Sequence, residues 1–243
     1  MAKLAPPYSL DVIKIFADGA SLPALLELAD NPRIAGFTTN PTLMRKAGVT
    51  DYPGFAKAAL AKIRSKPISF EVFADDFPEM KRQARQIATW GDNVYVKIPI
   101  TNTRRESAIG LIKELAGSGV KVNVTAICTL EQVRETAQAL TGGAPSVVSV
   151  FAGRVADTGR DPVPLMTEAL SLCKAADASI ELLWASPREL LNIVQAAEVG
   201  CHIITVTPDL LKKLELVGKD LAEFSLDTVK MFHKDALDAG YKL

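Results

Sequence analysis

Asn93-Val94-Tyr95-Val96-Lys97-Ile98-Pro99-Ile100 reads as a β-strand with a lysine in its middle and a proline closing it. Parallel strands buried on both faces are near-continuous runs of Val, Ile and Leu, and lysine is almost never fully buried without a partner. One reading keeps Lys97 structural, its stem on apolar surface and its amine in water. The residues that accompany it along the chain favour another. Seven more short apolar runs occur, at Val12–Ala17, Gly36–Thr39, Ile68–Ala74, Val122–Ile127, Val147–Ala152, Ile180–Ala185 and His202–Val206, which makes eight candidate strands.

Amphipathic stretches with 3.6-residue spacing lie between them: Phe55–Arg64, Glu79–Trp90, Glu106–Ala116, Glu131–Leu140, Leu165–Ala175 and Glu189–Glu198. Thr129-Leu130-Glu131-Gln132 and Ser186-Pro187-Arg188-Glu189 read as capping boxes, the second with proline at the first helical position. Pro208–Val217 and Leu226–Gly240 add two helices without a ninth strand. Strand–helix alternation predicts a parallel sheet with helical crossovers. Eight units in about 230 residues close best as a single (β/α)8 TIM barrel of the α/β class, with an extra C-terminal helix. The barrel domain is expected over residues 11–243, and residues 1–10, with Pro6-Pro7, read as a short N-terminal extension. A doubly wound open sheet is the alternative, but no Gly-rich dinucleotide turn follows the first strand.

Bulk composition narrows the function classes. Lysine and arginine together number 28, as do the acids, so no net field draws nucleic acid or an anionic membrane. A charged ligand must be recognised locally. Cys128, Cys173 and Cys201 are odd in number and far apart, which argues against a disulfide framework or zinc site and suits a reducing cytoplasm. No apolar signal segment opens the chain and no run is long enough to span a membrane. A soluble, cytoplasmic protein is expected, without membrane or nucleic-acid partners.

In a barrel of this kind, chemistry sits at the C-terminal strand ends. Reading those ends gives Asp18, then Thr38-Thr39-Asn40, Glu71, Lys97, Asn123 with Thr125 on one face, Ser149 with Arg154 just beyond, and Ser186 with Arg188. Each also has a structural reading. Asp18 and Ser186 can cap the helices that follow them, and Asn40 before Pro41 can be a turn residue. Glu71 can be only the counter-ion that a buried Lys97 requires. Asn123 and Thr125 can satisfy barrel backbone or water, and Arg154 can pair with Asp157. Together these readings would have an apolar barrel mouth solvate a lysine, two acids, two asparagines and several hydroxyls to no purpose.

His202 and His233 lie elsewhere, so the set is not a metal cage. A lysine amine held neutral is a Schiff-base nucleophile for a carbonyl compound, and the resulting iminium lets a neighbouring C–C bond break. That step needs a base for a hydroxyl proton and a relay for dehydration, roles that Asp18 and Glu71 can fill. Arg154 and Arg188, with Ser186, suit a phosphate. The residues thus point to an aldol-type enzyme acting on a small phosphorylated carbonyl compound, with no cofactor.

Gly-Phe-Thr-Thr-Asn-Pro-Thr (36–42), Val-Tyr-Val-Lys-Ile-Pro (94–99), Val-Asn-Val-Thr-Ala (122–126), Ser-Val-Phe-Ala-Gly-Arg (149–154) and Ala-Ser-Pro-Arg (185–188) resemble the transaldolase and fructose-6-phosphate aldolase family, in order and across nearly the whole chain. The resemblance implies that Lys97 forms the Schiff base and that Asp18 takes the hydroxyl proton. It implies that Glu71 and Thr125 hold the proton-shuttling water. Asn40 and Asn123 would hydrogen-bond the dihydroxyacetone part, beside Thr39, Ser149 and Phe151, and Arg154, Ser186 and Arg188 would hold the phosphate. Glu71 and Phe151 match transaldolases, where the aldolases carry glutamine and tyrosine. The implied activity is transfer of a dihydroxyacetone unit between phosphorylated sugars, by a homo-oligomer as in compact relatives. A fructose-6-phosphate aldolase, a transaldolase of a specialised sugar pathway and a non-catalytic sugar-phosphate binder are the alternatives. Trp184 and Pro187 depart from the family pattern; the indole either packs outward against a helix or narrows the acceptor pocket.

Overall fold

The computed structural model describes Leu10 and residues 12–243. Its strands are β1 (Lys14–Asp18), β2 (Ile34–Thr38), β3 (Ile68–Glu71), β4 (Val94–Pro99), β5 (Val122–Ile127), β6 (Ser146–Val150), β7 (Ile180–Trp184) and β8 (Ile203–Val206). All pair in parallel with their sequence neighbours, and β8 pairs with β1, Lys14 opposite Ile203, to close a barrel. The helices are α1 (Leu22–Ala29), α2 (Pro41–Lys46), α3 (Tyr52–Lys62), α4 (Phe77–Ala88), α5 (Ile109–Gly117), α6 (Leu130–Leu140), α7 (Ala152–Ala156), α8 (Pro162–Ala176), α9 (Leu191–Val199), α10 (Pro208–Lys212) and α11 (Leu221–Asp238). The expected (β/α)8 barrel with a C-terminal helix is therefore observed. Of the expected extension at residues 1–10, only Leu10 falls within the described residues, and it packs on the core.

Period-two alternation divides each strand between two environments. Outward residues such as Ile68, Phe70, Val96, Ile98, Val122 and Val124 join the helices in one large core. Trp184, fully buried, belongs to this outer core with Ile180 and Leu182, so the outward of its two expected placements is the observed one. Inward residues Phe16, Val147, Leu183 and Ile203 form a separate apolar layer, with Ala185, inside the barrel. Gly36 makes room for it: a Cβ there would lie 2.5 Å from the Phe16 ring.

Helix starts follow local chemistry. Asn40, Asp51, Asp76, Asp161 and Asp220 each accept an N–H of the first turn that follows, and α6 has the expected capping box of Thr129 and Gln132. The second expected box is not formed. Ser186 has φ 58°, whereas an N-cap needs extended backbone, and α9 begins only at Leu191. Asn192 Oδ1 takes the N–H groups of Arg188 (2.7 Å) and Glu189 (3.1 Å) instead. The helix expected from Glu106 starts at Ile109, because Asn102 Oδ1 accepts from the N–H groups of Arg104 and Glu106 and folds 102–107 into a tight turn. Helices α1, α2 and α7 lie outside the amphipathic stretches named above, though strand–helix alternation calls for crossovers there.

Helix α11 buries none of its 18 residues, and Leu221, Phe224, Val229 and Phe232 are exposed. Among the described residues no helix is long and apolar enough to cross a membrane.

At the start of α7 the backbone comes against the loop after β7: a Cβ on Gly153 would lie 1.6 Å from the Ser186 carbonyl oxygen. That neighbour is main chain and cannot swing away. Gly153→Ala should therefore lower stability by about 1–3 kcal/mol, as overpacking does, read as a lower denaturant midpoint at unchanged slope. An unchanged midpoint would show that the two loops move apart freely.

Candidate active site

The polar residues of the inner face gather in one layer above Phe16 and Leu183, at the C-terminal strand ends. Glu71 lies opposite Lys97 in the β3–β4 pairing, and Lys97 opposite Asn123 in β4–β5. Register alone thus lines up an acid, a lysine and an amide on consecutive strands. Thr125 stands one pleat above Asn123, and β5 bulges just after it: Ala126 takes φ 64° and the pairing with β6 shifts by one residue.

Lys97 is 6% exposed. Its Nζ donates to the Thr39 carbonyl at 2.8 Å and lies 3.0 Å from Glu71 Oε2. Glu71 is therefore the counter-ion a buried lysine requires, and its part in the chemistry is a separate matter. Asp18 caps no helix; Ser21 occupies that position of α1 without a side-chain bond. The Asp18 carboxylate accepts from Thr38 Oγ1 at 2.8 Å, and Thr38 Oγ1 is bonded in turn to Thr205 Oγ1. Asp18 keeps some contact with solvent, but enclosure by the barrel raises its carboxyl above the ordinary range. The Lys97 charge and the Thr38 bond oppose that rise, and Glu71 adds to it.

Asn123 is held from both sides, its Nδ2 donating to Ser69 Oγ (3.0 Å) and its Oδ1 accepting from Ser149 Oγ (2.6 Å). Thr125 Oγ1 is buried and has no hydrogen-bond partner among the described residues. Buried hydroxyls are nearly always satisfied, so this one marks a place where a further polar group belongs. Asn40 caps α2, Oδ1 accepting from the Leu43 N–H at 2.9 Å, which leaves its amide NH2 to face other partners. Thr39 Oγ1 donates to the Ser69 carbonyl.

The second cluster sits beyond β6 and β7. Phe151 precedes α7, and the Arg154 guanidinium lies over its ring, 5.7 Å from the centroid. The expected Arg154–Asp157 pair is absent. Asp157 binds Arg188 through both carboxylate oxygens, Nε to Oδ1 at 3.0 Å, because the chain after Ser186 brings Arg188 Nε close against Gly153. Arg154 has no carboxylate partner among the described residues.

Three contributors escaped the sequence reading, and a fourth takes a different partner. Thr205 and Ser69 are polar residues at inward positions of apolar strands, a signal that was present. Asp157 was assigned to the wrong arginine. Tyr52 carried no sequence signal, yet its hydroxyl both accepts the Glu71 N–H (2.8 Å) and donates to the Glu71 carbonyl (2.9 Å).

A buried lysine paired with a carboxylate, a second acid of raised pKa and two arginines at one barrel mouth suit carbonyl chemistry on an anionic substrate. Comparison with known proteins identifies the family. Residues 15–242 match the family described as transaldolase/fructose-6-phosphate aldolase. A probable transaldolase of Dehalococcoides mccartyi is 34% identical over 218 residues, covering 88% of this chain and 97% of that protein. One from a Thermoanaerobacter species is 32% identical over 231 residues, 95% of this chain and all of its own. Among solved structures the fold resembles dihydrodipicolinate synthase of Rhodopseudomonas palustris (TM-score 0.55, 14% identity, 83% and 72% of the two chains). It also resembles 3-hexulose-6-phosphate synthase of Salmonella typhimurium (TM-score 0.54, 18% identity, 80% and 88%). Those two likenesses concern the barrel alone, whereas the family match runs over nearly the whole sequence: this chain belongs to the transaldolase/fructose-6-phosphate aldolase family.

Proposed function

We propose that the protein is a transaldolase, which moves a dihydroxyacetone unit from a ketose phosphate to an aldose phosphate through a Schiff base on Lys97. The observation that carries this reading is the Lys97 amine, buried between the Thr39 carbonyl and Glu71 in one layer with Asp18. A structural lysine of that depth needs only its counter-ion; it does not need a second acid with raised pKa in the same layer.

In the proposed reaction Lys97 passes a proton to Glu71 and its freed amine adds to the ketose carbonyl. Glu71 and Thr125 Oγ1 hold the water through which the resulting hydroxyl is protonated and lost, leaving an iminium. Asp18 then takes the proton of the hydroxyl on the far carbon of the bond that breaks; that carbon becomes the aldehyde, and the electron pair of the bond flows into the iminium to give an enamine. The first aldose phosphate departs. The enamine adds to the carbonyl of the acceptor, Asp18 returns its proton, and water releases the new ketose from Lys97.

Asn40 contributes its amide NH2 to the dihydroxyacetone hydroxyls. Asn123, already fixed by Ser69 and Ser149, contributes orientation. For the phosphate, Arg154 brings an uncompensated charge, while Arg188 is held in place by Asp157 and shares its charge with it. Phe151 favours transfer over cleavage, since it has no hydroxyl to protonate the enamine and release free dihydroxyacetone. Helix α11, with its exposed Leu221, Phe224, Val229 and Phe232, docks on a second copy of the chain in this reading.

Incubation with fructose 6-phosphate and borohydride should leave a dihydroxyacetone-derived adduct on the peptide bearing Lys97, lost in Lys97→Met. Product should form only when an aldose phosphate acceptor is added. Free dihydroxyacetone without acceptor would favour the aldolase reading, and no adduct with any ketose phosphate would end both.

The acid limb of kcat/KM should lie above the ordinary aspartate range, because burial raises Asp18 and a base must be ionised to act. Thr38→Val removes a hydrogen bond that favours the ionised form, so the limb should move to still higher pH; a limb that stays put would deny Asp18 that role. Sedimentation should give a mass that is a multiple of 26.1 kDa, and a monomer at working concentration would contradict the docking of α11.

A further inference from the structure

The ladder between β2 and β3 stops one rung short, and the reason leads to Tyr52. Phe37 N–H donates to the Pro67 carbonyl and Thr39 N–H to the Ser69 carbonyl, with Thr38 opposite Ser69. In a parallel pair of this register the next bond runs from the Glu71 N–H to the Thr39 carbonyl. That carbonyl instead accepts Lys97 Nζ at 2.8 Å. The bond after it would run from the N–H of residue 41 to the Glu71 carbonyl, but residue 41 is proline and has no N–H. Glu71 therefore ends with both main-chain groups on its β2 side lacking ladder partners, inside the barrel wall, where an unpaired backbone group is costly.

One phenol serves both. Tyr52 Oη accepts the Glu71 N–H at 2.8 Å and donates to the Glu71 carbonyl at 2.9 Å. Donation requires the protonated phenol, and burial keeps it so, well above its ordinary range, with the Glu71 charge adding to the effect. The ring is fixed edge-on among Phe70, Phe73 and Trp90, with centroids 6.2, 5.8 and 5.7 Å away. Asp51, which accepts the Gly54 N–H, starts α3 so that Tyr52 is its first residue and points at the end of β3.

We propose that Tyr52 is a positioning residue for the lysine–glutamate pair: by standing in for the missing rungs it leaves the Thr39 carbonyl to Lys97 and holds Glu71 on the lysine's other side. Without the hydroxyl, the register of the ladder offers the Glu71 N–H the Thr39 carbonyl, and β3 would close on β2 at the expense of Lys97. The proposal rests on Lys97 and Glu71 acting in the Schiff-base reaction proposed above.

Tyr52→Phe tests it, since it removes the hydroxyl and keeps the ring. The rate of imine formation with fructose 6-phosphate is followed by rapid borohydride quench, alongside steady-state kcat and KM, at a temperature where circular dichroism shows the variant folded. Imine formation and kcat should both fall about ten- to hundredfold, as for a small misplacement of reacting groups, while KM changes less than about threefold. Trp90→Phe loosens the same aromatic cluster but keeps the hydroxyl, and should stay within about twofold of wild type in kcat. Wild-type rates in Tyr52→Phe, or an equal loss in Trp90→Phe, would overturn the role of the hydroxyl. If the wild-type protein itself gives no adduct on Lys97, the Schiff-base reading falls and the positioning role falls with it. An adduct that forms as fast in Tyr52→Phe as in wild type sinks the positioning role alone.

Discussion

A charged amine enclosed in a β-barrel is the constraint from which the rest of this site follows. Lys97 has to find an anion and an acceptor within reach of β4, and it finds them on the two strands before it, Glu71 on β3 and the Thr39 carbonyl just past β2. Neither is free. Using Glu71 fixes the β3–β4 register, and using Thr39 removes a rung from the β2–β3 ladder, which Tyr52 then makes good. The same enclosure that makes the ammonium expensive also pushes the nearby Asp18 carboxyl up. The raised Asp18 carboxyl and the cost of the buried lysine thus have a single origin, removal from water.

The barrel was legible because its strands are short apolar runs alternating with amphipathic stretches, and because hydrophobic period is a property of neighbouring residues in sequence. Glu71, Lys97, Asn123 and Thr125 were legible for the same reason, as polar residues at inward positions of apolar strands. What failed depended on backbone angles or on distant partners. Ser186 has the residue type of an N-cap but the wrong φ for one. Arg154 and Asp157 stand three apart and read as neighbours, yet the chain carries Arg188 to that acid instead. Helix α7 has only five residues, too few for any period to show. Tyr52 is the extreme case: what calls for it is a carbonyl already occupied and a proline without an N–H, and neither vacancy is visible before the strands are assembled.

The two arginines show how similar residues acquire different characters. Arg188 is anchored by a bidentate carboxylate, so its place is secure and its field is partly cancelled. Arg154 rests on the face of Phe151, with no carboxylate partner among the described residues, and its position is set by a ring. A dianionic group meeting this pair would encounter one anchored, partly cancelled cation and one held only by a ring.

The layer of Phe16, Val147, Leu183 and Ile203 below the polar residues has a consequence for traffic. It stoppers the barrel like a cork, with Gly36 shaped to the Phe16 ring, so among the described residues the polar layer is shut off from the lower end of the barrel. A molecule that reaches Lys97 from the C-terminal mouth would not pass on through the barrel. In the reaction proposed above, donor and acceptor would share that mouth and take turns at it, while the enzyme keeps hold of the piece they exchange.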